Sequence, residues 1–383
     1  MKKQLRPELN WNQWIINTRP DDPIEGDDFL DYKISIQVSA GAKEDKSFTR
    51  KVSQNNKQLY ETEKYPLLIS NMGGKENKED LKNLVFHQCN KDGFSHLLII
   101  TCFDDELRNF IGENIASFLS QNNFGNRQTK GFGSFYLTKP PSDSIEYRFW
   151  RTFPEKEQYY FRIDVSQLSY SESCYQTFEY IDCLYRALKS GINHCGKDGK
   201  SVFYFKSLLY QFAINKGWTW DKKAIKSAFF NNEPFGNSSY LVRDILGLST
   251  QSDWKSQRFS LSKTNSLPEN NRLMRITSPI QFKPIRKGAF FFIYIQSKPI
   301  SNEIWNQAFE IKTNKREYES LTLFTPPITQ KFTIREYLRF ALMDFWEMNN
   351  VESYAEYPDK NHRDVIKYKT ILSHIIEEIR KNY

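Results

Sequence analysis

Gly125-Asn-Arg-Gln-Thr-Lys-Gly-Phe-Gly-Ser-Phe-Tyr136 is the stretch from which the fold can be read. The segment before it is helical. Asp104 and Asp105 open a run in which Leu107, Phe110, Ile111, Ile115, Phe118 and Leu119 recur mostly at three- and four-residue steps, and Gly125 ends it. Residues 134–137, on the other side of the glycines, read as a strand closed by Pro140-Pro141. The order is therefore helix, glycine-rich basic loop, strand.

The loop carries the residue types that a polyanion site needs. Gly131 and Gly133 allow positive φ and close approach of a ligand to the backbone. Arg127 and Lys130 supply charge, while Asn126, Thr129 and Ser134 supply polar groups. Phe132 offers a ring between the two glycines. The competing reading is a tight helix-to-strand turn with two solvated cations.

Upstream, residues 32–38 alternate apolar and polar and predict a half-buried strand, and residues 96–101 predict a buried one. Residues 41–56 are polar and predict a long loop. Residues 67–69 predict a short strand and 78–86 a helix. Downstream, 159–165 predicts a strand, and 175–190, 203–216 and 220–230 predict helices. Residues 272–284 and 288–296 predict two strands joined by a basic turn, a hairpin that carries Lys283, Arg286 and Lys287. Residues 249–271, polar and rich in Ser and Lys, predict a flexible loop. Residues 333–348 and 364–381 predict helices. This mixture is compatible with an α+β fold built on ferredoxin-like units.

Composition narrows the function. A length of 383 residues suggests two domains. The net charge of +8 favours polyanionic partners through counterion release. Five cysteines, an odd number without C-x-x-C spacing, argue against a disulfide framework or zinc ribbon and for reduced, cytoplasmic thiols. The N-terminal Lys2, Lys3 and Arg6 precede no apolar stretch, against a signal peptide, and no apolar run approaches membrane-spanning length.

Two nucleic-acid signatures match the loop. Lys130-Gly131-Phe132-Gly133 matches the opening of the first ribonucleoprotein motif of the RNA-recognition motif, but Ser134 stands where a stacking aromatic belongs, and a helix directly precedes the glycines. The order of elements instead resembles the RAMP superfamily of CRISPR-associated proteins, in which a helix leads into a G-F-G-S-type loop. Arg275-Ile-Thr-Ser-Pro-Ile-Gln-Phe-Lys-Pro-Ile-Arg286 resembles the S-P-containing strand and hairpin in the C-terminal part of two-domain members. The resemblance implies two ferredoxin-like domains, residues 1–145 and 146–383, the second with helical insertions. It also implies a non-catalytic subunit of a type III-like RNA-guided effector. Its partners would be guide or target RNA and other effector subunits, with no membrane and no cofactor. The alternatives are a RAMP-type endoribonuclease processing CRISPR RNA and an RRM-like RNA-binding protein outside CRISPR.

The expected RNA contacts are Asn126, Arg127, Thr129, Lys130, Gly131, Phe132, Gly133 and Ser134, with Lys283, Arg286 and Lys287 on the hairpin. Arg148, Phe149, Trp150 and Arg151 mix charge and rings in the manner of single-strand binders. RAMP backbone subunits that cut target RNA carry an Asp on a loop of their first domain; the loop after the first predicted strand here holds Glu44 and Asp45, but no motif surrounds them and neither is assigned catalysis. His87 and His194 are the candidates for a general base under the nuclease alternative. No metal motif is present.

Overall fold

The structure is a computed structural model. It describes residues 97–137 and 159–383, apart from 126, 196–199, 232–238, 249, 255–258, 266, 268–272, 274 and 315–319. It also describes residues 15–16, 29–30, 32–37, 43–45, 49–54, 57–62 and 86–88. The chain divides into two compact units, residues 1–121 with 135–152, and residues 122–134 with 153–383. The glycine-rich segment thus folds with the second unit, although the helix leading into it belongs to the first.

In the first unit, β1 (Lys33–Gln37) pairs antiparallel with β2 (Leu97–Thr101). Helix α1 (Asp105–Gln121) comes next, its first turn held by the Asp104 carboxylate, which accepts from the Leu107 amide at 2.7 Å. Both strands lie where the periodicity predicts them. Their burial differs from expectation: β1 is exposed along its length and β2 alternates exposed with half-buried. Apolar alternation reports that a strand can be covered, not that it is. The loop expected at 41–56 instead holds the strands Lys43–Asp45 and Thr49–Gln54, the latter paired with Lys57–Thr62. Residues 134–137, expected as a strand, form none in the structure. The elements expected at 67–69 and, up to residue 85, at 78–86 lie outside the described residues; residues 86–88 form a strand.

The second unit is α+β. A three-stranded antiparallel sheet runs in the order Ile280–Lys287, Phe290–Ser297, Tyr159–Asp164. Chain order makes Tyr159–Asp164 β3. After it come α2 (Tyr170–Lys189), the hairpin β4 (Ile192–Cys195) and β5 (Ser201–Phe205), and α3 (Leu208–Asn215). Next are β6 (Thr219–Trp220), α4 (Asp221–Lys226), β7 (Ser239–Tyr240), α5 (Val242–Ile245), β8 (Gln251–Trp254) and β9 (Phe259–Asn265). The hairpin strands are β10 (Ile280–Lys287) and β11 (Phe290–Ser297), and after them come β12 (Ala308–Thr313) and β13 (Leu321–Phe324). The chain closes with α6 (Ile334–Leu342), α7 (Val351–Tyr354) and α8 (Arg363–Asn382). A six-stranded mixed sheet runs β6-β7-β13-β12-β9-β8.

Helix α2 begins with a capping box, in which Ser169 and Glu172 satisfy each other's amides. It packs on β11 and on α8, and α8 packs on β3, whose Tyr159, Phe161 and Ile163 point inward. Two corrections have physical causes. Residues 203–205 complete β5 rather than opening a helix, because Ser207 caps α3 through the Tyr210 amide. The polar stretch 249–271 supplies two sheet strands. In β9 the inward residues are Leu261, Lys263 and Asn265, alternating with exposed Ser262 and Thr264. Two of those three inward positions are polar, which conceals the strand from a hydrophobicity reading.

A candidate nucleic-acid interface at the glycine-rich loop

In the sheet order β10 is an edge strand, and Pro284 lies within it; a proline has no N–H to give a neighbour and is tolerated where none pairs. The loop covers this edge. Asn123 donates its amide to the Phe282 carbonyl at 2.7 Å, and Ser134 its hydroxyl to the Pro284 carbonyl at 2.7 Å. The Lys283 ammonium donates to the Asn122 carbonyl at 3.0 Å. Side chains alternate across a strand, so the loop reaches both faces of β10 as well as its edge. An exposed edge would template pairing with another chain, and here loop side chains occupy the outward carbonyls.

The loop ladders against one stripe of α2. Phe132 stacks on Phe178 with ring centroids 4.3 Å apart, and the Lys130 ammonium lies 5.1 Å above the Tyr185 ring. Phe178, Asp182, Tyr185 and Lys189 recur at four, three and four residues, so they share one helix face. Gly131 and Gly133 are each packed on the side where a Cβ would stand. A Cβ on Gly131 would lie 3.0 Å from Pro284 Cδ and 3.1 Å from Ile181 Cδ1; one on Gly133 would lie 1.8 Å from the Phe124 carbonyl oxygen. Both have positive φ, 90° and 66°. Arg127 also has positive φ, 58°, one of two non-glycine residues to do so among the described residues. It leads into a 3₁₀ turn, Gln128–Lys130, where the Lys130 amide donates to the Arg127 carbonyl at 2.8 Å.

The expected RNA-contacting residues are thus brought together unequally. Arg127, Thr129, Lys130, Phe132, Gly133 and Ser134 are half-buried, and Gly131 is buried. Asn126 and the Arg148–Arg151 cluster lie outside the described residues. Burial lowers the pKa of both Arg127 and Lys130; for Lys130, Tyr185 and Asp182 partly offset it. On the hairpin, Lys283 is fully buried and its pKa is pushed down to about 7 by desolvation alone. Arg286 is half-buried, 5.9 Å from the Phe291 ring, and Lys287 is exposed. Only Arg286 and Lys287 of the three hairpin cations therefore reach solvent. The α2 stripe escaped the sequence reading because helical spacing signals burial without naming what is buried.

The other candidates lie elsewhere. Glu44 stands opposite His87 in a strand pair of the first unit. In the second unit, His194 Nε2 lies 2.9 Å from Asp364 Oδ2. His362 Nδ1 caps α8 by accepting from the Asp364 amide at 3.2 Å. No group of three or more His, Cys, Asp or Glu side chains among the described residues is placed to hold a metal ion, and no described helix is long and apolar enough to cross a membrane.

Comparison with known families gives two matches that succeed one another along the chain. The Cmr1 N-terminal domain matches residues 2–192, and the Cmr1 C-terminal domain matches residues 204–369. No curated protein and no solved structure matches the chain significantly. Together the two family matches cover most of the sequence, and the chain belongs to the Cmr1 family, two-domain RAMP-type subunits of CRISPR type III effector complexes.

Proposed function

We propose that this protein is a non-catalytic, RNA-holding subunit of its effector complex, and that the loop 126–134 is the grip on guide or target RNA. The observation that carries this is the placement of Arg127 and Lys130. Both belong to a loop immobilised by Asn123, Ser134 and Phe132, so their backbone is held before RNA arrives, and the Lys130 ammonium rests over the Tyr185 ring. Preorganised cations lose less side-chain entropy on binding than free ones. The left-handed backbone at Arg127 is the kind of local strain that persists where the surrounding structure enforces it. In this reading the glycines let the loop dock rather than admit phosphate directly, and Arg286 and Lys287 extend the charge along the hairpin. The division into ferredoxin-like domains at 1–145 and 146–383 is part of the same proposal, supported in the second half by the β10-β11-β3 sheet with α2 and α8.

The test is a charge-removing pair that keeps the packing stems, Arg127→Gln with Lys130→Gln. Binding to labelled single-stranded RNA should weaken by about tenfold or more, on the order of 1.4 kcal/mol, as two charge-assisted contacts are lost. Melting temperature should change little. Unchanged affinity would remove the loop from the RNA site.

The His194–Asp364 pair favours a second reading, an endoribonuclease in which Asp364 orients a histidine base. The pair is hydrogen-bonded, with His362 Nδ1 3.9 Å from Asp364 Oδ2 and the Tyr368 ring 5.5 Å from the His194 ring.

A further inference from the structure

A band of charge lies beyond the loop, at the C-terminal end of α2. Asp221, with no exposed surface, receives Arg243 through both oxygens, at 3.1 and 2.8 Å from Nε. Buried Asp244 receives Lys263 at 2.6 Å. Asp182 faces Arg186 at 3.7 Å. Each of these carboxylates is therefore already engaged. Two lysines rest on main-chain carbonyls instead: Lys189 donates to Gly247 at 2.7 Å and Lys222 to Ser190 at 2.9 Å.

The paired acids Asp221 and Asp244 are buried, while Lys130, Lys189, Lys222 and Arg243 are half-buried. Neighbours along the band are within electrostatic reach: Arg127 of Lys130, Lys130 of Lys189, Lys189 of Arg243, and Arg243 of Lys222. Tyr185 lies under Lys130, and Trp220 lies 6.0 Å from Arg243. The negative end of the α2 dipole helps hold cations there but does not neutralise them. Burying the ammoniums of Lys189 and Lys222 on carbonyls is costly, Asp244 and Asp221 offset only part of that cost, and an external anion relieves more of it. A phosphodiester chain supplies anions at regular spacing, which suits a row of cations better than a single ion does.

We propose that the RNA path, taking the loop reading as its start, continues from Arg127 and Lys130 over the C-terminal end of α2 to Lys189, Arg243 and Lys222. The band is a phosphodiester track rather than a site for free phosphate, because its cations are strung out in sequence.

Burial lowers Lys189 and Lys222 to about 8, so at pH 8 each is a nucleophilic amine to a greater extent than an ordinary lysine. The whole unaltered protein is therefore treated with an acetylating reagent at pH 8, alone, with single-stranded RNA, and with inorganic phosphate at the same phosphate concentration. Modification is read by mass spectrometry. RNA should slow acetylation of Lys189 and Lys222 severalfold, and phosphate should not. In parallel, Lys189→Gln with Lys222→Gln should weaken RNA binding by about tenfold and reduce the salt slope by about 1.4, or 0.7 for each phosphate lost. RNA that binds through Arg127 and Lys130 yet leaves both lysines at their original rates would overturn the track and spare the loop. Equal protection by inorganic phosphate would also overturn it. A wild-type protein that binds no RNA would overturn the loop reading and the track together. Should the double variant fail to fold, the footprint on the unaltered protein decides.

Discussion

Ser134 donates its hydroxyl to the main-chain carbonyl of Pro284 at 2.7 Å, joining two residues 150 positions apart in sequence. Ser134 closes the G-F-G-S motif, and Pro284 sits in the hairpin strand after the S-P dipeptide. The two stretches that most resemble the RAMP superfamily are thus one structural unit, a loop seated on the edge of a sheet.

Removing that bond tests the seating. Ser134→Ala leaves a part-buried carbonyl without its donor, at a cost of about 1 kcal/mol. In a unit of this size that should lower the melting temperature by about 2–4 °C. Thermal unfolding monitored by circular dichroism reads it; an unchanged midpoint would mean the loop is not held by this contact.

The two glycines should differ. At Gly131 the obstacles are side chains, Pro284 and Ile181, at 3.0–3.1 Å, and Gly131→Ala should cost about 1–2 kcal/mol, mostly backbone strain. At Gly133 the obstacle is the Phe124 backbone at 1.8 Å, which cannot step aside without undoing the bond from the Phe124 amide to the Gly133 carbonyl. Gly133→Ala should therefore release the loop and make it sensitive to limited proteolysis, while Gly131→Ala should not. Equal protease resistance in the two variants would contradict this.

Lys283 gives a pH dependence. Its folded pKa of about 7 lies below the ordinary lysine value of 10.5, so between those values the unfolded chain binds more protons than the folded one. Stability from this group therefore rises with pH from about 7 to 10.5, and its burial penalty is greatest below pH 7. Lys189 and Lys222 act with the same sign, so the informative quantity is a difference. The gap in melting temperature between Lys283→Met and wild type should be largest near pH 6 and narrow or reverse by pH 9. A constant gap would place Lys283 in a solvated setting.

The histidine pair separates a binding protein from a nuclease. Purified protein incubated with CRISPR repeat RNA in EDTA should leave the RNA intact, and His194→Ala should leave RNA affinity unchanged. Defined fragments that vanish with His194→Ala or Asp364→Asn would establish the endoribonuclease reading instead.

The helix Asp105–Gln121, the hairpin around Arg286 and Lys287 and the long C-terminal helix were all legible, since each has strong periodicity or a clear turn. The strand Phe259–Asn265 was not, because Lys263 and Asn265 spend inward positions on polar partners. The loop residues themselves could be named from the sequence, but not their seating. Nothing local says that Lys283 is buried under Asn122, or that the glycines face Pro284 and Phe124, because those contacts span the chain. The band from Lys189 to Lys222 was invisible for the same reason: its members come from α2, α4 and α5 and meet only in the fold.

The most direct test of the account is the salt dependence of RNA affinity. Contacts from Arg127, Lys130, Lys189, Arg243 and Lys222 to about four phosphates predict that log K falls against log salt with a slope of roughly −3 for single-stranded RNA. Titrations of the wild-type protein with labelled single-stranded RNA across a series of salt concentrations give that slope. A value near −3 is the predicted result, and a flat response would contradict the claim that fixed cations on this loop and its neighbouring band hold the RNA backbone.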